Sequence, residues 1–378
     1  MRLIATVDTH ASVPFLDLRS VNSRIAADVL EDVEGLLRSG AFTNGPQVAA
    51  FEEAFASYSG ATHCIGVASG LDALRLALIG LGLEQRAEVL VPAMTFVATY
   101  EAVTQAGGVP VPVDVSEADN GIDAAAAAAA VGPRTQSLLP VHLYGRMADM
   151  QALAALARDH RLLLVEDACQ AHGATREAAR AGTTGRAGAF SFYPAKNLGA
   201  MGDAGALVTD DAELAEAVRA LREHGQREKY KHGDIGWTAR LDTIHAAVLL
   251  RKLPYLDEWN AQRQAAADLY VEGLAGVGDL MLPDSSDRGQ VWHLFVVRTA
   301  DRDGLADHLA ASKIGTGRHY PEPPHLSEAY RHLGHTEGSF PVAERIAREA
   351  LSLPMFPGIT EAQVEQVVES TRAWFDRG

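Results

Sequence analysis

Between about residues 60 and 210, short apolar runs alternate with longer stretches whose apolar positions recur at helical spacing. Runs of four or five apolar residues are typical of strands buried on both faces, and helices are the usual connections between parallel strands. The pattern therefore predicts an α/β fold with a mainly parallel sheet flanked by helices. The predicted strands are 64–67, 89–92, 109–113, 137–141 and 162–167, and the predicted helices between them include 71–81 and 150–160.

The pattern changes beyond residue 210. Pro254 and a charged stretch at 257–274 carry the chain away from the sheet. We therefore predict a large domain over residues 1–250, which includes the N-terminal segment, and a smaller C-terminal α+β domain over residues 251–378. The elements predicted in this part of the chain are helices at 212–224, 243–253, 303–312 and 361–375, and a strand at 291–297.

Composition and charge narrow the functional class. The formal net charge of −16 argues against nucleic-acid binding, which needs concentrated positive charge. No apolar stretch is long enough to cross a membrane, and Met1–His10 lacks the apolar core of a signal peptide. Cys64 and Cys169 form no disulfide framework, and no cysteine–histidine spacing indicates a metal site. We therefore expect a cytoplasmic protein without a metal, a nucleic-acid partner or a membrane partner.

Two charged residues lie where an α/β sheet binds its ligands. Asp167 ends a predicted buried strand, and Lys196 follows one supersecondary unit later. Open α/β sheets bind ligands at the carboxyl ends of their strands. A lysine and an aspartate brought together there indicate pyridoxal 5'-phosphate: the lysine forms a Schiff base, and the aspartate keeps the pyridine nitrogen protonated. Taken alone, the lysine is more often a surface charge and the aspartate a helix cap.

Four further features fit the same cofactor. The turn of Ser69, Gly70 and Leu71 follows a predicted strand and opens a helix, so its backbone amides form a candidate phosphate cradle. Each feature taken alone has an ordinary explanation as a turn, a core ring or a strand residue. The other three candidates are Ser191 as a hydroxyl donor to the phosphate, Phe96 as a ring that stacks on the pyridine face, and Gln170 as a partner of the phenolic oxygen.

In these blocks and their order, the chain resembles the DegT/DnrJ/EryC1/StrS family of pyridoxal-phosphate-dependent sugar aminotransferases, which have fold type I. The resemblance extends from Val13 to Pro354. Several such blocks in the family's order make a specific signal, whereas one block alone does not. The matching blocks are Ser69-Gly70, Thr95-Phe96, Pro140 to Gly145, Glu166 to Ala174 and Phe190 to Gly199.

The resemblance implies a role for each candidate. Lys196 would be the Schiff-base lysine and Asp167 the partner of the pyridinium nitrogen. Members of the family are homodimers whose active sites lie at the subunit interface. The other cofactor contacts implied are Phe96 on the ring, Gln170 on the ring hydroxyl, and Ser69, Gly70, Leu71 and Ser191 at the phosphate.

The chain departs from the family's pattern at two positions. Thr238 stands where the family commonly has an asparagine that donates to the phosphate of the neighbouring subunit, and His245 stands where glutamine is usual. Either the Thr238 hydroxyl substitutes for the asparagine, or other groups hold the phosphate. Some relatives replace the lysine with histidine and become dehydratases, and Lys196 argues against that branch.

The implied reaction is a ping-pong transamination from an amino acid, with L-glutamate expected as donor, to a nucleotide-linked keto-deoxysugar. Leu71 and the run from Arg240 to Ile244 favour the 3-keto class over the 4-keto class. Two alternatives stay open: a cyclitol aminotransferase of the same family, and a non-catalytic regulatory protein that binds the cofactor. The candidate substrate contacts are Arg222, Lys229, Tyr230, Lys231, Arg240, His319 and Tyr320.

Overall fold

The computed structural model describes residues 12–377. Met1–His10, for which the sequence predicts no signal peptide, lies outside the described residues. The strands are β1 (His63–Val67), β2 (Glu88–Pro92), β3 (Val109–Val113), β4 (Thr135–Leu138), β5 (Leu163–Asp167), β6 (Thr175–Arg176), β7 (Ala179–Arg180), β8 (Ala187–Ser191), β9 (Gly205–Thr209), β10 (Gln226–Glu228), β11 (Lys231–His232), β12 (Phe295–Arg298) and β13 (Ala350–Leu353).

Helices separate most of the strands, as the apolar pattern predicts. No helix within residues 12–377 combines the length and the apolar character needed to span a bilayer. The α-helices are α1 (Arg19–Ser23), α2 (Ala26–Ser39), α3 (Pro46–Ser59), α4 (Gly70–Gly80), α5 (Ala98–Gln105), α6 (Ala124–Ala130), α7 (Met150–His160), α8 (Ala212–Leu221), α9 (Thr243–Lys252), α10 (Leu256–Leu274), α11 (Arg302–Ala311), α12 (Pro341–Glu349) and α13 (Glu361–Phe375).

A seven-stranded sheet in the order β1-β9-β8-β5-β4-β2-β3 forms the centre of the fold. The pairs from β8 to β3 are parallel, whereas β9 runs antiparallel to both β1 and β8. Alternate residues of a strand point to opposite faces, so Val89 and Val91 join one apolar core and Leu90 joins the other. Helices α4, α5 and α8 cover the first face, and α3, α6, α7 and α9 cover the second. The predicted α/β fold class is confirmed.

A third apolar core belongs to the C-terminal part of the chain. It combines residues of α10, α11 and α13 with Phe295 and Val297 from β12 and Leu351 and Leu353 from β13. The antiparallel pair β12–β13 and these helices form the α+β unit that the sequence predicts. The domain boundary at residue 250 stays a prediction.

Three predicted elements are wrong in extent. The strand predicted over 137–141 is β4 and ends at Leu138, shortly before Pro140, which has no N–H to continue the ladder. The helix predicted over 212–224 ends at Leu221, because the Trp237 amide donates to the Leu221 carbonyl and the His224 amide donates to the Trp237 carbonyl. The strand predicted over 291–297 begins only at Phe295. Residues 291–294 bond instead to the turn at 143–145, where the Val291 amide donates to the Gly145 carbonyl at 2.9 Å.

Candidate active site

Asp167 lies at the carboxyl end of β5, in the middle of the central sheet, and its side chain is buried. One carboxylate oxygen accepts a hydrogen bond from the Thr99 hydroxyl at 2.9 Å, and the other accepts from the Cys169 amide at 3.2 Å. The Thr99 hydroxyl also lies 2.8 Å from the Thr95 hydroxyl. These bonds hold the carboxylate in one orientation at the ligand-binding edge of the sheet. Neither threonine was predicted from the sequence as a site residue, although both lie in the segment that carries Phe96.

Lys196 lies in the loop that joins β8 to β9. The loop is closed at its base, because the Phe192 amide donates to the Ala204 carbonyl and the Ala200 amide donates to the Phe192 carbonyl. Among residues 12–377, the Lys196 amine forms no hydrogen bond or ion pair. Burial lowers the pKa of this amine, because the charged form loses its hydration, while the neighbouring Cys169 and Asp167 act in the opposite direction. The structure thus presents a partly buried amine with a lowered pKa close to Asp167.

Asn197 anchors the lysine loop to the rest of the chain. Its side-chain nitrogen donates to the Asn260 side-chain oxygen at 2.9 Å and to the Val291 carbonyl at 2.8 Å. Its side-chain oxygen lies 3.1 Å from His293 Nδ1. Asn260 in turn donates to the His172 carbonyl at 2.9 Å. This buried amide network connects the Lys196 loop, the segment after Asp167 and helix α10, and the sequence carried no signal for it.

The turn before α4 has the form of an anion site. The amides of Gly70 and Leu71 precede the first intrahelical bond, which runs from the Ala73 amide to the Ser69 carbonyl. The Ser69 hydroxyl caps the helix, since it accepts from the Asp72 amide at 3.0 Å and donates to the Asp72 carboxylate at 3.0 Å. The free donors of the turn are therefore backbone amides rather than the Ser69 hydroxyl.

Gly70 is where this turn meets the edge of the sheet. A Cβ at this position would lie 2.5 Å from Cys169 Sγ and 2.8 Å from Ser191 Cβ, so only glycine fits. The close approach brings together the start of α4, the segment after Asp167 and the end of β8. The structure therefore groups Gly70, Ser191 and Asp167 as the sequence predicts.

Gln170 and two aromatic rings form another wall of the site. The Gln170 side-chain oxygen accepts from the Tyr144 amide at 2.8 Å, and its nitrogen donates to the Tyr320 hydroxyl at 3.2 Å. The ring centroids of Tyr320 and Phe96 lie 5.2 Å apart. Phe96 is half exposed, so part of its ring is available for contact with a flat ligand.

Two histidines near Lys196, the buried His172 and the half-buried His319, are held neutral. Burial and the positive charge of Lys196 lower the pKa of His172 to about 3 and the pKa of His319 to about 4. His319 Nδ1 lies 2.8 Å from the Ser352 hydroxyl. His172 packs beside the rings of Phe190 and Phe192, and neither of its ring nitrogens has a hydrogen-bond partner within the described residues.

The other predicted substrate contacts lie apart from this cluster. Lys229 and Tyr230 form the tip of the β10–β11 hairpin, where the lysine amine lies 5.4 Å from the centre of the tyrosine ring. Tyr230 is 80% exposed. Lys231 forms an ion pair with Glu228 on the same hairpin. Within the described part of the chain, no hydrogen bond joins the hairpin tip to Lys196 or Asp167.

Three predicted site residues outside the hairpin already have polar partners within the chain. Arg240 pairs with Glu223 at 2.7 Å, and the Thr238 hydroxyl lies 3.0 Å from His224 Nε2. Arg222 forms an ion pair with Glu52. The Ala239 carbonyl accepts from the Ala68 amide at 3.0 Å, so this segment runs beside the anion turn of the same chain.

The groups at the sheet edge fit pyridoxal phosphate. They comprise an amine without a hydrogen-bond partner among residues 12–377, a carboxylate fixed at a strand end, a half-exposed aromatic ring, and the first backbone amides of α4 at Gly70. The chain supplies a group for each part of the cofactor: the aldehyde, the ring nitrogen, the ring face and the phosphate.

Comparisons with known proteins agree with this chemistry. The model of the DegT/DnrJ/EryC1/StrS aminotransferase family matches residues 23–372. The chain is 48% identical over 366 residues to the dTDP-3-amino-3,4,6-trideoxy-α-D-glucose transaminase of Streptomyces venezuelae, with 97% of each chain covered.

Two solved structures are similar over nearly the whole chain. The S. venezuelae DesV structure with a ketimine intermediate has a TM-score of 0.95 and 47% identity, and covers 98% of this chain and 100% of that one. The Bacillus subtilis NtdA structure with bound cofactor PMP has a TM-score of 0.91 and 31% identity, and covers 98% of this chain and 87% of that one.

Proposed function

The chain belongs to the DegT/DnrJ/EryC1/StrS aminotransferase family, and we propose that it transfers an amino group from L-glutamate to a nucleotide-linked 3-keto-deoxysugar. The family identifies an aminotransferase, and its members and structural neighbours imply pyridoxal phosphate as cofactor. The observation that carries the proposal is the unpaired Lys196 amine beside the oriented Asp167 carboxylate. The donor and the sugar are the parts of the proposal that need experiment.

The residues that would hold the cofactor follow from the site. Lys196 would bond to it covalently, Asp167 would pair with its ring nitrogen, and the remaining contacts come from the surrounding wall. When bound, pyridoxal phosphate supplies an aldehyde that captures the amine and a ring that withdraws electrons. The contacts proposed for the wall are Phe96 against the ring face, Gln170 at the ring hydroxyl, and Gly70, Leu71 and Ser191 at the phosphate, with Ser69 shaping the turn and Thr238 beside it.

Two residues would do the chemical work that belongs to the chain itself. Lys196 Nζ would take a proton from the donor and return one to the acceptor, which a lowered pKa favours because a larger fraction of the amine is then in the neutral form that can accept a proton. The Asp167 carboxylate would hold a proton on the pyridine nitrogen. Its bonds to Thr99 and to the Cys169 amide keep it aimed while charge develops.

The 3-keto class of acceptor rests on the relative of S. venezuelae, whose name gives a 3-amino sugar. His319 and Tyr320, which stand beside Phe96, are the proposed sugar contacts. Lys229, Tyr230 and Arg240 are proposed to meet the charged nucleotide part of the substrate.

A homodimer is part of the proposal. Leu30 and Leu37 lie one heptad apart on α2 and are each 70% exposed, and Phe42 and Ile244 are also exposed. A patch of this kind marks an interaction surface. We propose a second copy of the chain as its occupant, and light scattering of the purified protein would measure the assembly.

The test begins with the absorption spectrum of the purified protein before and after L-glutamate is added. We expect the band of the lysine-bound cofactor to fall and the pyridoxamine band to rise. In a second sample, dTDP-3-amino-3,4,6-trideoxy-α-D-glucose should donate its amino group to the cofactor, which is the reverse of the acceptor half-reaction. A response to keto-cyclitols instead would favour the cyclitol alternative, and binding of the cofactor without turnover would favour a regulatory protein.

A further inference from the structure

Tyr144 connects the cofactor side of the site to the C-terminal part of the chain. It lies in a single helical turn, Leu143–Gly145, just beyond β4. Its amide donates to the Gln170 side chain, its carbonyl accepts from the Leu294 amide at 3.3 Å, and its hydroxyl donates to the His319 carbonyl. Every polar atom of Tyr144 therefore has a partner, and the three partners come from separate parts of the sequence.

The backbone of Tyr144 is unusual for a bulky residue. Its φ of 60° and ψ of 9° lie in the left-handed region, which a residue with a large side chain seldom adopts. Such a conformation persists only where the surroundings require it, and it is common at functional sites. A glycine would adopt it without strain, so a tyrosine here indicates that its side chain contributes.

The amide of Tyr144 determines which way Gln170 faces. A backbone N–H can only donate, so the side-chain atom 2.8 Å from it must be the oxygen of Gln170. The Gln170 nitrogen must then point into the site, where it meets the Tyr320 hydroxyl.

The hydroxyl of Tyr144 acts on the opposite wall. It donates a hydrogen bond to the carbonyl of His319. His319 precedes Tyr320, and the ring of Tyr320 contacts the ring of Phe96. Burial raises the pKa of the Tyr144 phenol, so the phenol stays a neutral donor.

We infer that Tyr144 is a positioning residue, which fixes the Gln170 amide and holds the His319–Tyr320 segment at the acceptor side of the site. Only the expected effect on enzyme kinetics rests on the proposed function, whereas the structural role does not. Tyr144 touches Gln170, Leu294 and His319 rather than the reacting groups, so it acts through its neighbours.

Tyr144→Phe tests the hydroxyl, because it leaves the backbone bond to Gln170 in place. Tyr270→Phe is the matched control: the Tyr270 hydroxyl is also buried and donates to a backbone carbonyl, that of Pro354 at 3.0 Å, but within the C-terminal core. Both variants lose one buried phenol–carbonyl bond and are expected to lower the melting temperature by similar amounts.

The first readout is hydrogen exchange of residues 315–322 in the purified protein. Tyr144→Phe should accelerate it, including at the Gly317 amide, which bonds to the Ser352 carbonyl, whereas Tyr270→Phe should not. The second readout is the reverse reaction with dTDP-3-amino-3,4,6-trideoxy-α-D-glucose. Its KM should rise about fivefold to tenfold, as for loss of one hydrogen bond, with little change in kcat.

Equal exchange rates in the two variants and the wild type, together with an unchanged KM, would overturn the inference. If Tyr144→Phe does not fold, Tyr144→Met keeps the amide and loses the phenol, and it carries the same expectations. If the proposed function is wrong, the wild type itself will show no amino transfer. The hydrogen-exchange experiment would still decide the role of Tyr144.

Discussion

The sheet edge around Asp167 and the hairpin β10–β11 are both candidate parts of one active site, but they are built differently. Asp167 is buried and held by two hydrogen bonds at the end of a central strand. The hairpin tip is exposed, and its charged residues pair with residues of the same hairpin. A group that is to bind a resident cofactor can be fixed by the fold alone, whereas one that is to meet a transient substrate stays in solvent until the substrate arrives.

The largest effect should come from the sheet edge. We expect Lys196→Ala to lower amino transfer by roughly 10^4-fold or more, since it removes the amine that we propose bonds the cofactor and carries protons. The spectrum with L-glutamate measures the first half-reaction. Lys252→Met is the matched control, because Lys252 is also buried and, among residues 12–377, its amine bonds to the Gly199 carbonyl alone. A Lys196→Ala enzyme that still forms the pyridoxamine band would contradict the assignment.

Asp167→Asn should lower kcat in both half-reactions by roughly 10^2- to 10^3-fold, because the neutral amide no longer stabilises a charged ring nitrogen. The asparagine oxygen can still accept from the Cys169 amide while its nitrogen donates to the Thr99 hydroxyl, so the fold is expected to persist. Thr99→Val, which removes one bond to Asp167, should cost only about tenfold. If Thr99→Val proved as damaging as Asp167→Asn, orientation rather than charge would be the main contribution of Asp167.

Lys229→Ala tests the hairpin side of the comparison. We expect the KM for the nucleotide sugar to rise about fivefold, as for loss of one exposed charge contact, with no change in the glutamate half-reaction. The effect should diminish at high salt. A slower glutamate half-reaction would show that the hairpin serves the cofactor as well, and the distinction between the two regions would fail.

The smallest effect concerns stability against acid. The pKa of His172 is about 3 in the folded protein and near 6.5 when unfolded, so the unfolded chain binds a proton first as the pH falls. Stability is therefore full above about pH 6.5 and falls as the pH drops towards 3. His172→Phe should reduce this dependence between pH 6 and pH 4 by about 1.4 kcal/mol per pH unit, measured by denaturant unfolding.

The sequence predicted the sheet edge well because its signals are local. The apolar run before Asp167 and the small residues at Ser69–Gly70 are visible in the sequence, and the sheet topology then brings them together. Thr99, Asn197 and Tyr144 were not predicted. Their roles depend on bonds between segments far apart in sequence, and a tyrosine with left-handed φ leaves no periodic signal.

The hairpin was harder to predict for a different reason. Residues 226–232 are polar throughout, so no apolar period marks the two short strands. The ion pair of Arg240 with Glu223 could not be predicted either, because Glu223 lies in a segment that the sequence assigned to a helix. The contacts of both regions with ligands stay predictions.

The antiparallel strand β9 has a consequence for how the protein is made. β1 leads into the anion turn, and β9 is the strand of the central sheet with which it pairs, with His63 opposite Thr209. During synthesis β1 must therefore remain unpaired until the ribosome has released residues near 209, by which time β2 to β5 can already associate. The phosphate end of the site is thus completed late in folding, and variants that weaken the β1–β9 pairing should increase aggregation of the nascent chain before they impair the finished enzyme.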